Sequence, residues 1–414
     1  MPSSLSDLPP WITPILSWNL IQLITGLIAT FTPARSALRP VAAAATAVLA
    51  YLLQRNIQIY YSGTRPSGPV VAMCWVNVLN AIDLLVLSRA SYEAQVTYLK
   101  AKDEKKDRRS NKARQGNLIK KIIFALVLPY NLRRINTPWQ ISRVPRFDDK
   151  NPSYVPNRSS FLLQSAVKLA IAGAITHFLT LAPEDVNLSN ALLQLDQSKT
   201  VLLPFRTYDV SSFLRQAGFT LSFGIVTRAS IVGGYTAGAL GAVLLGSDPA
   251  KWPPVAGSLS GAWSLEKLWG QSWHQTLRRP LTSNATFLSS TLGLAPGSKA
   301  AHWIRVLVAF LGSGLVHALM DIGFGVPWEK TGALWFYGLQ VVGLIAESVL
   351  ARLLTPLVDG LGFGTRLKRA IGYVWVAGFL LWSTPVWINP ILVSLWKDGT
   401  NVMSPWLGGP SGWY

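Results

Sequence analysis

The sequence predicts an all-α polytopic membrane protein, and three observations predict it. The 414-residue chain is 50% hydrophobic and 14% charged, with a mean hydropathy of +0.30, whereas ordinary soluble domains carry about 25% charge. It contains 17 tryptophans, a residue that favours the membrane–water interface. Long stretches carry no charge at all. The first, 8–34, exceeds the ~20 residues that cross a ~30 Å hydrocarbon core at ~1.5 Å per residue. Against this apolar content the formal charge of +19 does not describe a soluble nucleic-acid binder, which would be rich in charge and poor in apolar residues. A single cysteine, Cys74, excludes an intramolecular disulfide and any cysteine-built zinc or iron–sulfur site.

Eight crossings follow in order. Span 1 covers about 11–32, and the ten residues before it lack the basic region of a secretory signal, which predicts retention. Span 2, about 40–53, is short and Ala-rich. Span 3, 70–88, holds Asn77, Asn80 and Asp83 at helical spacing. That polar stripe should face protein, because facing lipid is costly. Span 4 is 161–182 and includes His177. The Gly-rich 211–246 segment, with Arg215 and Arg228, is too long for one straight span and barely long enough for two. Gly234 and Gly238 have the spacing that lets helices approach closely. Then come 302–320, 331–354 and 370–396, the last charge-free throughout. There is no internal repeat.

Positive charge sets the orientation. The 100–121 segment holds ten Lys or Arg against three acids, and Arg133, Arg134, Arg143 and Arg146 follow it, so it should be cytosolic. A solvated basic loop near anionic lipid explains it better than a nucleic-acid site. The net-acidic 181–210 loop then lies on the far side, with an Asn187-Leu-Ser sequon, and 247–301 returns to the cytosol. The chain divides accordingly into N-terminal transmembrane helices (1–99), a basic cytosolic loop (100–160) and a core (161–414).

The histidines are 177, 274, 302 and 317, and no HExxH, Gly-x-Ser-x-Gly or GxxxxGK[ST] motif occurs. A metal site is not expected. Gly360-Leu-Gly-Phe-Gly364 is Gly-rich without a preceding strand and does not read as a nucleotide loop. Two stretches carry chemistry. In 264–279 a helical wheel gathers Leu265, Leu268, Trp269, Ser272, Trp273 and Thr276 on one side, and Lys267, Gly270, His274 and Arg278 on another. This predicts an amphipathic helix at the membrane face, with His274 and Arg278 one turn apart. An interfacial helix with an incidental histidine is the alternative. In 311–321, Ser313 and Asp321 fall one turn either side of His317, near the end of an apolar span. A neutral imidazole in a low-dielectric setting can act as general base towards an alcohol. A buried histidine bonded to a neighbouring helix is the bland reading. His177 and His302, at span edges, read as structural.

Together these stretches resemble the wax-synthase-like branch of the membrane-bound O-acyltransferases. The residues are Trp269-Gly270-x-x-Trp273-His274-Gln275-x-x-Arg278, preceded by Asp248-Pro249-x-x-Trp252-Pro253-Pro254 and followed by Ser313-Gly314-Leu315-x-His317. The likeness is strongest to fungal members that acetylate terpenoid and meroterpenoid alcohols, and Ile135-Asn-Thr-Pro-Trp-Gln140 is similar to a segment those proteins carry. It runs from about residue 133 to the C-terminus. The resemblance implies that His317 stands at the intramembrane catalytic position and His274 at the second polar position. Trp269, Trp273 and Gln275 of the motif are expected to bind substrate, and Arg278 and Lys267, at the cytosolic face, to bind the phosphates of CoA. Leu268 stands where relatives often have Phe, and Gln271-Ser272 where a basic residue is common. Both could alter the donor entry surface.

The implied reaction is acyl transfer from acetyl-CoA to a hydroxyl of a hydrophobic acceptor arriving from the bilayer. The expected location is the endoplasmic reticulum membrane, where a polytopic enzyme with no other targeting signal stays by default, and no permanently bound cofactor, metal or nucleic-acid partner is expected. Cys74 has no nearby histidine in sequence and should be dispensable. A long-chain wax ester synthase is the alternative within the class. A transporter of a hydrophobic small molecule is the alternative outside it, favoured by the Gly-rich 211–246 segment and opposed by the missing repeat. A scaffold subunit would leave both histidine motifs unexplained.

Overall fold

The computed structural model describes residues 11–106, 118–182, 184, 186–197, 210–360 and 364–405. Its helices are α1 (Ile12–Phe31), α2 (Leu38–Tyr60), α3 (Ser67–Ile82), α4 (Tyr92–Lys106), α5 (Leu118–Val127), α6 (Arg158–Phe178), α7 (Val186–Gln197) and α8 (Val210–Leu244). They continue with α9 (Leu265–Lys267), α10 (Arg278–Thr291), α11 (Lys299–Gly323), α12 (Ala333–Gly360), α13 (Thr365–Ser383) and α14 (Pro385–Lys397). Among the described residues the strands are limited to one antiparallel pair, Thr180–Leu181 with Val402–Met403.

Five helices are long and apolar enough to cross a membrane: α1, α3 with the turn that extends it to Leu87, α6, α11, and α12 with the turn before it. The α13–α14 pair makes a sixth if counted as one bent span. This is fewer than the eight expected. The difference lies in α2 and α8, which have the length but not the apolarity. The Gly-rich segment forms one unbroken 35-residue helix, roughly 50 Å long at ~1.5 Å per residue. The span predicted at 370–396 consists of two helices meeting at 51°. Pro385 opens α14, and a proline has no N–H to continue the ladder. Large apolar side chains stand exposed along α1 (Ile15, Leu16, Leu20, Leu23, Leu27) and α6 (Leu163, Val167, Ile171), a surface suited to lipid. Residues 107–117 of the basic loop and 361–363 of the Gly-rich pentapeptide lie outside the described residues, as does the side chain of Asn187.

The chain packs as two compact units. The first comprises residues 1–62, 66–142 and 276–323, and so contains α1–α5 with α10 and α11. Its core includes Ile21, Ala50, Leu53, Val71, Cys74 and Val78, beside a second cluster of Ala29, Ala42, Leu84 and Leu85. The polar stripe of α3 is buried as expected. Asp83 is wholly buried and bonds Arg134 at 3.0 Å and Arg279 through both carboxylate oxygens at 3.2 Å. Asn80 accepts from Arg134 at 2.7 Å, and Ser88 donates to Asp83 at 2.6 Å. Burial pushes the Arg134 guanidinium down to about 10, with Asp83 acting against that shift. Removing one partner of such a buried pair typically costs about 3–5 kcal/mol.

The second unit comprises 63–65, 143–275 and 324–414. Its core clusters are Ala262, Leu265, Leu268, Val376 and Phe379, and Phe161, Ala239 and Val243. In this unit Phe336 stacks on Trp387 with ring centroids 5.0 Å apart, and Phe223 meets the same indole edge-on at 5.5 Å.

Candidate functional site

In the first unit, His317 projects from α11 one turn beyond Ser313. Its Nδ1 lies 2.7 Å from the Ser313 carbonyl oxygen and 3.5 Å from the Ser313 hydroxyl. A carbonyl oxygen only accepts, so Nδ1 carries the proton, and in the neutral ring Nε2 keeps its lone pair. Of the two Ser313 contacts, the one to the main-chain carbonyl is the shorter. Val316, next to the histidine, packs with Ala72 and Val76 of α3. Gly312 faces Leu281 of α10, where an added Cβ would stand 3.2 Å from the leucine methyl. Asp321 is wholly buried. Arg278 also belongs to this unit, as the first residue of α10.

His274, Trp269, Trp273, Gln275 and Lys267 belong to the second unit, so the sequence-selected residues divide between the two. The continuous amphipathic helix expected over 264–279 is corrected. α9 passes into a single π-helical stretch, Leu268–Ser272, and ends there. Trp273 is extended, and His274 pairs in an antiparallel bridge with Ala256. Backbone bonds from Gly257 to Gln271 (3.1 Å) and from Gln275 to Val255 (2.9 Å) flank that bridge. Pairing with 255–257 draws the chain out of the helix, and helix resumes only at Arg278. His274 and Arg278 are therefore not one helical turn apart. Gly257 permits the pairing: a Cβ there would come within 2.6 Å of the Gln271 carbonyl oxygen.

Side chains from other elements hold this segment. Arg228 of α8 donates to the carbonyls of Ser272 (2.6 Å) and Gly257 (2.8 Å), spanning both sides of the bridge. Glu347 of α12 accepts from the backbone N–H groups of Leu265 (2.7 Å) and Glu266 (3.2 Å) and from the Trp375 indole (3.0 Å). Its carboxylate thus satisfies N–H groups that a helix start leaves open. Ser264 caps the same start by accepting from the Lys267 N–H at 3.1 Å.

Three of the selected residues sit side by side. The Trp269 and Trp273 rings meet edge-on at 5.9 Å, and Trp273 lies 6.0 Å from the His274 ring. The Trp269 indole donates to Gln340 of α12 at 3.2 Å. The Gln275 side chain is buried and donates to the Arg143 carbonyl at 2.8 Å. Lys267 places its ammonium 3.4 Å above the centre of the Trp263 ring, a cation–π contact. Among the described residues no group of three or more His, Cys, Asp or Glu is placed to hold a metal ion.

Sequence reasoning gave no role to Arg279 and only noted Arg228 as a charge in a Gly-rich helix. Glu347 acts as a structural partner of the helix start at 265–266 and of Trp375. The available signal for Arg228 was a single charge in the otherwise uncharged stretch 216–247, which must find polar partners.

Residues 252–339 match the model of the membrane bound O-acyl transferase family. The chain is 28% identical over 311 residues to acetyltransferase aurG of Calcarisporium arbuscula, covering 71% of this chain and 70% of that protein. It is 29% identical over 312 residues to acetyltransferase fsoF of Humicola fuscoatra, covering 68% and 70%. Acetyltransferase ple2 of Rhodocybe pseudopiperita is 29% identical over 326 residues, covering 76% and 75%. The matched stretch runs from Trp252 of the Trp-Pro-Pro motif through both histidines.

Proposed function

We propose, for a chain that is an acyltransferase of the membrane-bound O-acyltransferase family, transfer of an acetyl group from acetyl-CoA to a hydroxyl of a hydrophobic terpenoid or meroterpenoid. The relatives' names support acetyl as the group transferred. The motifs around His274 and His317 support the acceptor class. One observation carries the chemistry: the His317 Nδ1 bond to the Ser313 carbonyl, which turns Nε2 into the acceptor.

In this reading Nε2 takes the hydroxyl proton as the alcohol oxygen attacks the thioester carbonyl. The C–S bond breaks, the imidazolium returns the proton to the departing thiolate, and the products are an acetate ester and free CoA. General-base assistance of this kind contributes roughly 10²–10⁴ in rate. His274 polarises the thioester carbonyl, and loss of a donor at a developing oxyanion typically costs about 2.7–4 kcal/mol. Trp269 and Trp273 supply an apolar wall. Arg278 and Lys267 serve the phosphates of the donor. No covalent acyl-enzyme is required, and Cys74 is buried in a hydrophobic cluster. The protein resides in the endoplasmic reticulum, with α2 and α8 crossing beside the six apolar spans to give eight crossings.

The test uses microsomes containing wild type or His317→Ala, labelled acetyl-CoA and a panel of hydroxylated terpenoids, with products identified by mass. An ester formed by wild type alone supports the reading. Ester formation by wild type only with palmitoyl-CoA and fatty alcohols replaces it with wax ester synthesis. Equal ester formation by both proteins removes His317 from the mechanism.

A further inference from the structure

Within the second unit, α6, α8 and the 252–256 segment line a partly open cavity of about 250 Å³, at which Gln164 and Lys168 are exposed. Lys168 and Arg228 both line it, together with the neutral polar side chains of Gln164, Ser165 and Thr236. Trp252 closes one wall. No carboxylate is among the lining residues. The hydrogen-bond partners of the Arg228 guanidinium are two carbonyl oxygens, which accept but carry no charge. Those two bonds leave three of its five N–H groups for another acceptor. Among the described residues no acid lies within ion-pair distance of Lys168.

The setting makes this costly. α6 is one of the helices apolar enough to cross a membrane, and ionisable groups there are expensive unless an opposite charge or a water-filled cavity serves them. Two cations on facing helices also repel each other, Arg228 half-buried and Lys168 exposed. A carboxylate would answer one of them. A phosphate carries enough charge for both and has oxygens left for Gln164, Ser165 and Thr236.

We infer that this cavity is a phosphate-binding site, taking a phosphate ester carried by a coenzyme or by a phospholipid headgroup. The inference does not depend on the chemistry assigned to His317, since it rests on the charges and lining of this cavity.

The experiment uses full-length protein in nanodiscs, as wild type, Lys168→Gln and Lys168→Arg. One arm measures binding of labelled CoA in pure phosphatidylcholine discs. The other measures retention of phosphatidic acid over phosphatidylcholine by native mass spectrometry. Wild type should bind at least one of the two probes, and more weakly as ionic strength rises. K168Q should weaken that binding about tenfold, K168R should keep it, and the bound probe should raise the Tm of wild type more than that of K168Q. Lys168 shares no ion pair within the described protein, so K168Q tests the site without dismantling the loop that Arg228 holds. A loss confined to CoA identifies a coenzyme phosphate, and one confined to phosphatidic acid a lipid headgroup. Wild type that binds neither probe overturns the inference, and so does K168Q with wild-type affinity for both. If K168Q leaves both affinities intact while acetyl transfer persists, the phosphate site falls and the proposed function stands.

Discussion

The two motif histidines are positioned by opposite means. His317 is held by its own helix: one main-chain carbonyl, four residues back, fixes both the ring and its tautomer. His274 lies on an extended stretch paired with 255–257. That stretch keeps its shape because Arg228, 46 residues before it in sequence, bonds the carbonyls of Ser272 and Gly257, while Glu347, 73 residues after it, holds the start of the helix that leads into it. A regular helix makes a residue tolerant of changes around it. An irregular segment places a residue where no helix could, and becomes dependent on distant side chains.

Substitutions test that contrast, beginning with the largest effect. His317→Ala should lower acetyl transfer by about 10²–10⁴ at matched protein levels, read from initial rates in microsomes. Arg228→Met removes two charge-assisted bonds worth about 1.5–3 kcal/mol each. It should lower Tm and activity together, and Arg228→Lys should recover only part, because an ammonium cannot span both carbonyls. Wild-type Tm and activity in Arg228→Met would mean that the pairing with 255–257 holds itself. Glu347→Ala should cost about 0.5–2 kcal/mol, the usual scale for losing a helix N-terminal acceptor, with Glu347→Gln milder in thermal melts. Smallest of all, Ser313→Ala, at a buried position, should lower stability by about 0.5–1.5 kcal/mol and leave the rate nearly unchanged, because the shorter bond to His317 uses the carbonyl. A large loss in Ser313→Ala would assign the hydroxyl a role in the reaction.

What the sequence made legible follows the range of the interactions involved. The relation between Ser313 and His317 is local, four residues on one helix, and spacing alone located it. The polar stripe of α3 was legible as buried because period and hydropathy are local too. Its partners were not: Arg134 lies 51 residues from Asp83 and Arg279 lies 196 away. The 264–279 segment was misjudged for the same reason. Its apolar residues recur at helical period, but the pairing that unwinds it at Trp273 comes from residues 255–257, whose register no periodicity encodes. The bend at Thr384 was written in Pro385 and was obscured by the absence of charge on either side of it.

The Asp83 cluster also bears on how the protein is made. Its carboxylate enters the bilayer with α3, yet Arg279 follows 196 residues later, about 10–40 s at ~5–20 residues per second of synthesis. The first unit is interrupted by residues 143–275, so α10 and α11 reach the insertion machinery only after most of the second unit has been translated. Throughout that interval the nascent N-terminal helices hold a buried acid with half of its cationic partners. The length of the inserted segment thus becomes a timer on assembly, and a ribosome stalled before residue 276 would leave an intermediate in which that acid still lacks Arg279.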